Sequence, residues 1–232
     1  MDTPQIDNRL GRDQSIATGT GYRRPKSSYD TELIETGPGT PMGEVMRRYW
    51  QPVALSHEVS DDPVKVKVLG EDLVVFRDKS GRPGLLHNRC CHRGTTLYYG
   101  RVEDDGIRCC YHGWKFDVEG NCIDMPCEEN NGIAIRDKVR QPWYEVQESY
   151  GLIFAYMGPP EKRPILPRWS NLESVKNGEK LITIGPVFAS GSDGTPQHIE
   201  CNWLQHWENT LDPYHVQILH STFSSVQFVD AF

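Results

Sequence analysis

The chain has 232 residues, a formal net charge of −7 and an ordinary globular composition, 37% hydrophobic and 25% charged. That length allows one large domain or two small ones. An acidic balance with no basic stripe argues against a nucleic-acid partner. No stretch approaches the apolar length of a membrane span, and the N-terminus, MDTPQIDNRLGRDQ, carries no apolar signal core, so no membrane association and a cytoplasmic location are expected. In a reducing compartment an odd set of seven cysteines, four of them at 90, 91, 109 and 110, reads as metal ligation and not as a disulfide framework.

In chain order, residues 1–31 are polar and aperiodic, which predicts a mobile extension or a segment lying on a partner subunit. In GPGTPMGEVMRRYWQPV the spacing of Met42, Val45, Met46 and Tyr49 predicts a short helix with one buried face, running into a strand. VKVKVLGEDLVVFRD then alternates about a Gly-Glu-Asp turn, a hairpin pattern. Ser80–Gly84 turns the chain, and Leu85–Asn88 leads into a cysteine-rich stretch. Beyond that stretch, Trp114–Asp117 and Cys122–Asp124 flank another turn, and Val139–Met157 reads as two more strands. Gly158–Pro167 is a stiff proline-rich linker and a domain boundary. A strand over Leu181–Phe188 and a Gly-rich turn over Ser190–Pro196 follow. The expected layout is therefore a lead-in over 1–42, an antiparallel β domain over 43–160 and a second, incomplete domain over 161–232.

The chemistry centres on Cys90–Trp114, CCHRGTTLYYGRVEDDGIRCCYHGW. Cys90-x-His92 and Cys109-x-x-His112 are separated by sixteen residues, Arg93–Arg108. Two thiolates and two imidazoles so close in sequence can converge on one metal centre. A structural zinc finger presents like ligands in pairs, Cys with Cys and His with His. A Rieske [2Fe–2S] cluster needs both thiolates on one iron and both imidazoles on the other, and loops that each give one Cys and one His meet that demand. The interleaved order thus favours the iron–sulfur cluster over zinc. Cys91 and Cys110 beside the ligands read as small half-buried residues, or as thiols that sensitise the cluster to oxidation. Cys122, Cys127 and Cys201 read as small buried residues.

A second constellation lies in ECNWLQHWENTLDPYHVQILH. Ile199, Trp203, Leu204, Trp207 and Leu211 predict a helix over 200–211 with one buried face. Asp212-Pro213 breaks it, and Asp212 suits the N-cap of a second short helix carrying His215 and His220. A capping Asp with two unremarkable histidines explains the string. So does a two-His, one-carboxylate site for non-haem Fe(II). His57, His87, His198 and His206 have no partner at ligand spacing.

Cys-x-His-Arg-Gly and Cys-x-Tyr-His-Gly-Trp resemble the Rieske boxes of ring-hydroxylating oxygenases, with Cys91 and Cys110 where that family usually has proline. Glu208-Asn209-x-x-Asp212-x-x-His215-x(4)-His220 resembles the mononuclear-iron motif of their α subunits, and the resemblance, over residues 33–228, is strongest to the phthalate-dioxygenase-type branch. It implies a mainly β Rieske [2Fe–2S] domain, an antiparallel β sandwich, followed by the start of an α+β helix-grip catalytic domain. It implies that Cys90, His92, Cys109 and His112 hold the cluster and that His215 and His220 hold mononuclear Fe(II), with a third carboxylate supplied from further downstream. Asp212 would link His215 to the partner subunit's His112 in a head-to-tail homotrimer. The implied activity is hydroxylation or demethylation of an aromatic acid or aryl ether, with O2 and electrons from an NAD(P)H-dependent flavin/iron–sulfur reductase or a ferredoxin. Ending at Phe232, the chain reads as the N-terminal part of such a subunit, able to hold the cluster and inactive alone; a Rieske-type electron-transfer module without oxygenase activity is the alternative. Gly113-Trp114 stands where high-potential Rieske proteins have hydroxyl donors, so a potential toward the low end, near about −150 mV, is expected.

Overall fold

The computed structural model describes residues 28–174, 181–182 and 201–219. Contacts divide the chain between Thr31 and Glu32, and the fold set out here is that of the second unit. Among the described residues ten strands make two antiparallel sheets. The larger takes β1 (Trp50–Leu55), β2 (Val64–Val68), β3 (Glu71–Arg77), β4 (Pro83–His87), β9 (Trp143–Ser149) and β10 (Leu152–Tyr156) in the order β1-β10-β9-β4-β3-β2. Its edge strands β1 and β2 approach each other, so the sheet is a nearly closed barrel. The smaller sheet, β5 (Arg101–Glu103), β6 (Gly106–Arg108), β7 (Lys115–Phe116) and β8 (Cys122–Asp124), is a meander inserted between β4 and β9.

Strand β3 shows how the two sheets share a core. Its run Leu73-Val74-Val75-Phe76 is wholly buried, unlike the half-exposed alternation of β2. Successive side chains of a strand point to opposite faces. Leu73 and Val75 pack inside the barrel with Val53, Leu85 and Ile153, while Val74 and Phe76 pack outward against Leu97, Ile107, Trp114 and Phe116 of the insertion. Burying each such side chain contributes roughly 1.5–3 kcal/mol, so the insertion is fastened to the barrel through a core of its own. Cys90, Cys109 and Cys122 belong to that second core.

Local readings were corrected in four places. The β2–β3 turn is Leu69-Gly70, both at positive φ (45° and 79°), and Glu71 and Asp72 already pair in the strand. Two positive φ values are what a tight two-residue hairpin demands. The helix α1 (Pro41–Met46) does form, capped by Thr40, but Val45 and Tyr49 are exposed; Gly43 and Arg47 are the buried positions. A helix of under two turns has no room for a full apolar stripe. Arg47 instead reaches the carbonyl of Leu69 and the carboxylate of Glu71, which also accepts from the Tyr144 hydroxyl. Gly158–Pro167 is not a free linker: Leu166 is buried against Trp50, Phe154 and Tyr156, and the Trp50 indole donates to the Pro164 carbonyl.

The fourth correction concerns the downstream helices. α2 (Trp203–Leu211) and α3 (Pro213–Leu219) occur where the sequence places them, and the Asn202 side chain accepts from Gln205 N–H as the N-cap. Neither helix buries a residue, however, and Trp207 and Leu211 stay exposed. The predicted strand over 181–188 lies outside the described residues except for Leu181 and Ile182, which are in no strand, and the turn over 190–196 lies outside them altogether. Residues 1–27 and most of the expected helix-grip portion also lie outside them. No helix among the described residues is long and apolar enough to cross a membrane.

Candidate metal centre

Two loops at one end of the insertion carry the cysteines and histidines, and they share one backbone design. In the first, Cys90 N–H donates to the carbonyl five residues on, Thr95, at 2.9 Å, and Gly94 N–H returns to the Cys90 carbonyl at 2.8 Å. In the second, Cys109 N–H donates to Trp114, again five residues on, at 2.8 Å, and Gly113 N–H returns to Cys109 at 3.1 Å. Gly94 and Gly113 both adopt left-handed φ, 74° and 73°. Each loop is thus the same turn closed on its cysteine, with glycine at the position that needs positive φ. At Gly113 a Cβ would also meet Pro126 at 2.7 Å, so the site admits no side chain. His92 and His112 sit two and three residues after their cysteines, yet both fall inside this turn.

The turns bring like donors together. Cys90 and Cys109 are both buried and lie close enough for each thiol to perturb the other's titration. That contact and burial raise the Cys109 thiol well above its ordinary pKa. At Cys90, contact with Cys109 pulls downward, but Cys91 and burial outweigh it and the net direction is also up. Both are neutral thiols in the metal-free protein, and metal binding has to release their protons. The imidazoles of His92 and His112 lie 4.6 Å apart, partly exposed at the protein surface. Burial, then the neighbouring His112 and Arg93, hold His92 below its usual pKa, so it stays neutral and able to ligate. Trp114 stacks on His92 at 4.2 Å and 4°, and its buried Nε1 finds no acceptor among the described residues.

Sulfur donors inside and imidazole donors outside fit a [2Fe–2S] cluster with one iron on each pair. Among the described residues no three His, Cys, Asp or Glu side chains converge on a single ion. A cluster iron takes two protein ligands, and each pair of like donors would supply them.

Two side chains that sequence reasoning missed brace the loops. Gln141, fully buried, donates to the carbonyls of His87 and Arg89 and accepts from Cys91 N–H, each at 2.8 Å. Arg108, beside Cys109, donates to the Gly113 carbonyl at 2.6 Å and to Asp124 at 2.7 Å, and pairs through Nε and Nη2 with Glu103. The Arg108 guanidinium holds Glu103 down at a pKa of about 2. An arginine just before Cys109, with Glu103, Asp104 and Asp105 shortly upstream, was a legible signal; nothing local marks Gln141. Cys91, Cys110, Cys127 and Cys201 are exposed, which corrects the half-buried and buried expectations; of the five cysteines outside the proposed ligand set, Cys122 alone is interior.

Of the second constellation, Asp212 ends α2 and its Oδ1 accepts from Tyr214 N–H at 2.8 Å, opening α3. His215 Nδ1 stands 3.8 Å from Asp212 Oδ2, beyond a direct hydrogen bond. His220 lies outside the described residues.

With this geometry in place, comparison with known proteins defines the class. The Rieske [2Fe–2S] domain family matches residues 49–147, the span that holds both loops and both braces. The phenoxybenzoate dioxygenase subunit alpha of Ectopseudomonas oleovorans is 56% identical over 92% of this chain and 52% of its own length. The phthalate 4,5-dioxygenase oxygenase subunit of Pseudomonas putida is 41% identical over 78% of this chain and 39% of its own. A crystal structure of dicamba monooxygenase bound to dicamba superposes with a TM-score of 0.50 at 27% identity, over 55% of this chain and 40% of that one. The chain spans about half, or less, of the length of the relatives it matches. Residues 49–147 are thus a Rieske [2Fe–2S] domain, and most of the chain is similar to phenoxybenzoate- and phthalate-type oxygenase α subunits.

Proposed function

We propose that this chain is the electron-accepting portion of a terminal oxygenase, and that the whole protein hydroxylates or demethylates an aromatic acid or aryl ether using O2. The observation that carries the reading is the convergence of two thiols and two imidazoles on equivalent turns, in a chain 56% identical to an oxygenase α subunit. Cys90 and Cys109 would hold one iron and His92 and His112 the other. His215 and His220 would supply two of the three ligands to mononuclear Fe(II), with a carboxylate from beyond the described residues as the third. When bound, these groups supply one-electron transfer and O2 activation respectively.

The chain's own residues prepare for that role. Burial of the thiols shields the sulfur end from water, while the partly exposed imidazoles present the outer end to a donor or acceptor. Asp212, three residues before His215, would orient it and reach the partner subunit's His112 in a homotrimer. Electrons would come from an NAD(P)H-dependent flavin/iron–sulfur reductase or a ferredoxin. The boundaries 43–160 for the cluster domain and 161–232 for the opening of the catalytic domain complete the reading.

Anaerobic purification tests it. Two irons and two acid-labile sulfides per chain, with a rhombic EPR signal on reduction, are expected; colourless protein containing zinc would reject the assignment. A redox titration should place the midpoint potential near about −150 mV, and a value well above zero would contradict the part assigned to Gly113-Trp114. Oxygenation of phenoxybenzoate-class acids by the full-length protein with a reductase tests the activity.

A further inference from the structure

We infer that Gln141 is a positioning residue for the [2Fe–2S] cluster, and that it acts by clamping the two peptide groups on either side of Cys90. The inference rests on the Rieske reading above. Gln141 lies fifty residues beyond Cys91, just ahead of β9, in a segment that contributes no ligand. All three of its side-chain hydrogen bonds go to the first loop and its approach. Nε2 donates to Arg89 O, the carbonyl of the peptide that precedes Cys90, and to His87 O at the end of β4; Oε1 accepts from Cys91 N–H, in the peptide that follows Cys90. Both peptide planes flanking the thiol are therefore referred to one planar amide, which holds Cys90 at a set orientation. The Cys91 N–H, a donor beside the cysteine sulfur, is taken up by the amide oxygen. The number and direction of N–H donors near the sulfurs tune the potential of such clusters, so the clamp bears on potential as well as on position.

Gln141 is itself fixed. Its backbone N–H donates to Gly120 O at 2.8 Å, Asn121 bridges to Arg140, and Pro142 accepts from His87 N–H. Barrel, meander and first loop thus meet at this residue. Complete burial excludes water as a substitute partner, so an apolar replacement leaves two carbonyls and one N–H unpaired. Among the described residues the second loop has no counterpart: its brace is the charged Arg108, bonded to the Gly113 carbonyl and not to a peptide that flanks Cys109.

The test uses cluster-loaded protein and three variants. Gln141→Met keeps the volume and removes every bond. Gln141→Glu, protonated in a buried site that faces two carbonyls, keeps the acceptor and one donor. Val53→Ala, in the barrel core away from the loops, controls for lost stability alone. Iron release to a chelator, midpoint potential and reduced-state EPR are read for each. Release should quicken in the order wild type, Gln141→Glu, Gln141→Met, reaching about tenfold for the last, with a changed potential and EPR line shape. Val53→Ala should keep the wild-type potential and EPR. The inference fails if both Gln141 variants match wild type, or if Val53→Ala reproduces their release rate and potential. Should Gln141→Met not fold, Gln141→Glu against Val53→Ala decides on the same criteria. A wild-type protein without a cluster would instead sink the Rieske reading; a loaded wild type with indifferent variants sinks only the role of Gln141.

Discussion

The two ligand loops make the same backbone turn and are braced by opposite chemistry. The first is held by a neutral amide that is wholly buried and arrives from a distant part of the chain. The second is held by a guanidinium adjacent in sequence, partly exposed and shared between Glu103 and Asp124. A neutral buried clamp leaves two carbonyls and an N–H unpaired when removed, and it is indifferent to salt. An ionic clamp at the rim is weaker per contact and is screened by ions and titrated by acid. The cluster is thus anchored on one side by packing and on the other by electrostatics.

The comparison can be broken outright at the ligands. Cys90→Ser and Cys109→Ser should each abolish the [2Fe–2S] absorbance and EPR signal, because both thiolates serve the same iron in the proposed assignment; retention by either variant would show that the loops are not equivalent. A smaller effect comes from the joint between the loops and the barrel. Gly120 has φ 73°, and a Cβ there would meet the Gln141 carbonyl at 2.1 Å. Gly120→Ala is expected to cost about 3 kcal/mol in urea denaturation, the sum of overpacking and a left-handed alanine, and to loosen the first loop more than the second.

Next comes the ionic brace. Arg108→Leu should destabilise by about 2 kcal/mol and speed iron loss, with a penalty that shrinks in high salt; a penalty equal at low and high salt would put the second loop in the same class as the first. The smallest effect is acid sensitivity through Glu103. Its folded pKa, about 2, lies below the ordinary 4.5, so its contribution is fully present above pH 4.5 and is lost as pH falls toward 2. Glu103→Gln should flatten the stability slope across that window, and an unchanged slope would remove Glu103 from the account.

Much of the site was legible because it is written locally. The alternation of Cys and His between two boxes, and the glycine four residues after each cysteine, need only neighbouring residues to take effect. The insertion of the meander between β4 and β9 was half legible: its hairpins were marked by turn residues, while the nearly closed barrel depends on β1 meeting β10 a hundred residues away. The Leu69-Gly70 turn was misplaced because leucine does not advertise a left-handed φ. Trp207 and Leu211 show a limit of another kind: their spacing sets a helix, but period alone cannot say whether a partner covers the face.

By itself the sequence determined the order of cysteine and histidine in the two boxes, the turns that carry them, and the helix break at Asp212-Pro213, all consequences of backbone rules acting over a few residues. Only the tertiary structure decided which buried polar group holds the first loop, which side of β3 faces the inserted meander, and that the thiols sit inside while the imidazoles reach the surface. Those outcomes depend on pairings across fifty to a hundred residues, where a hydrogen bond is chosen by which elements happen to pack together and leaves no mark on the residues around it.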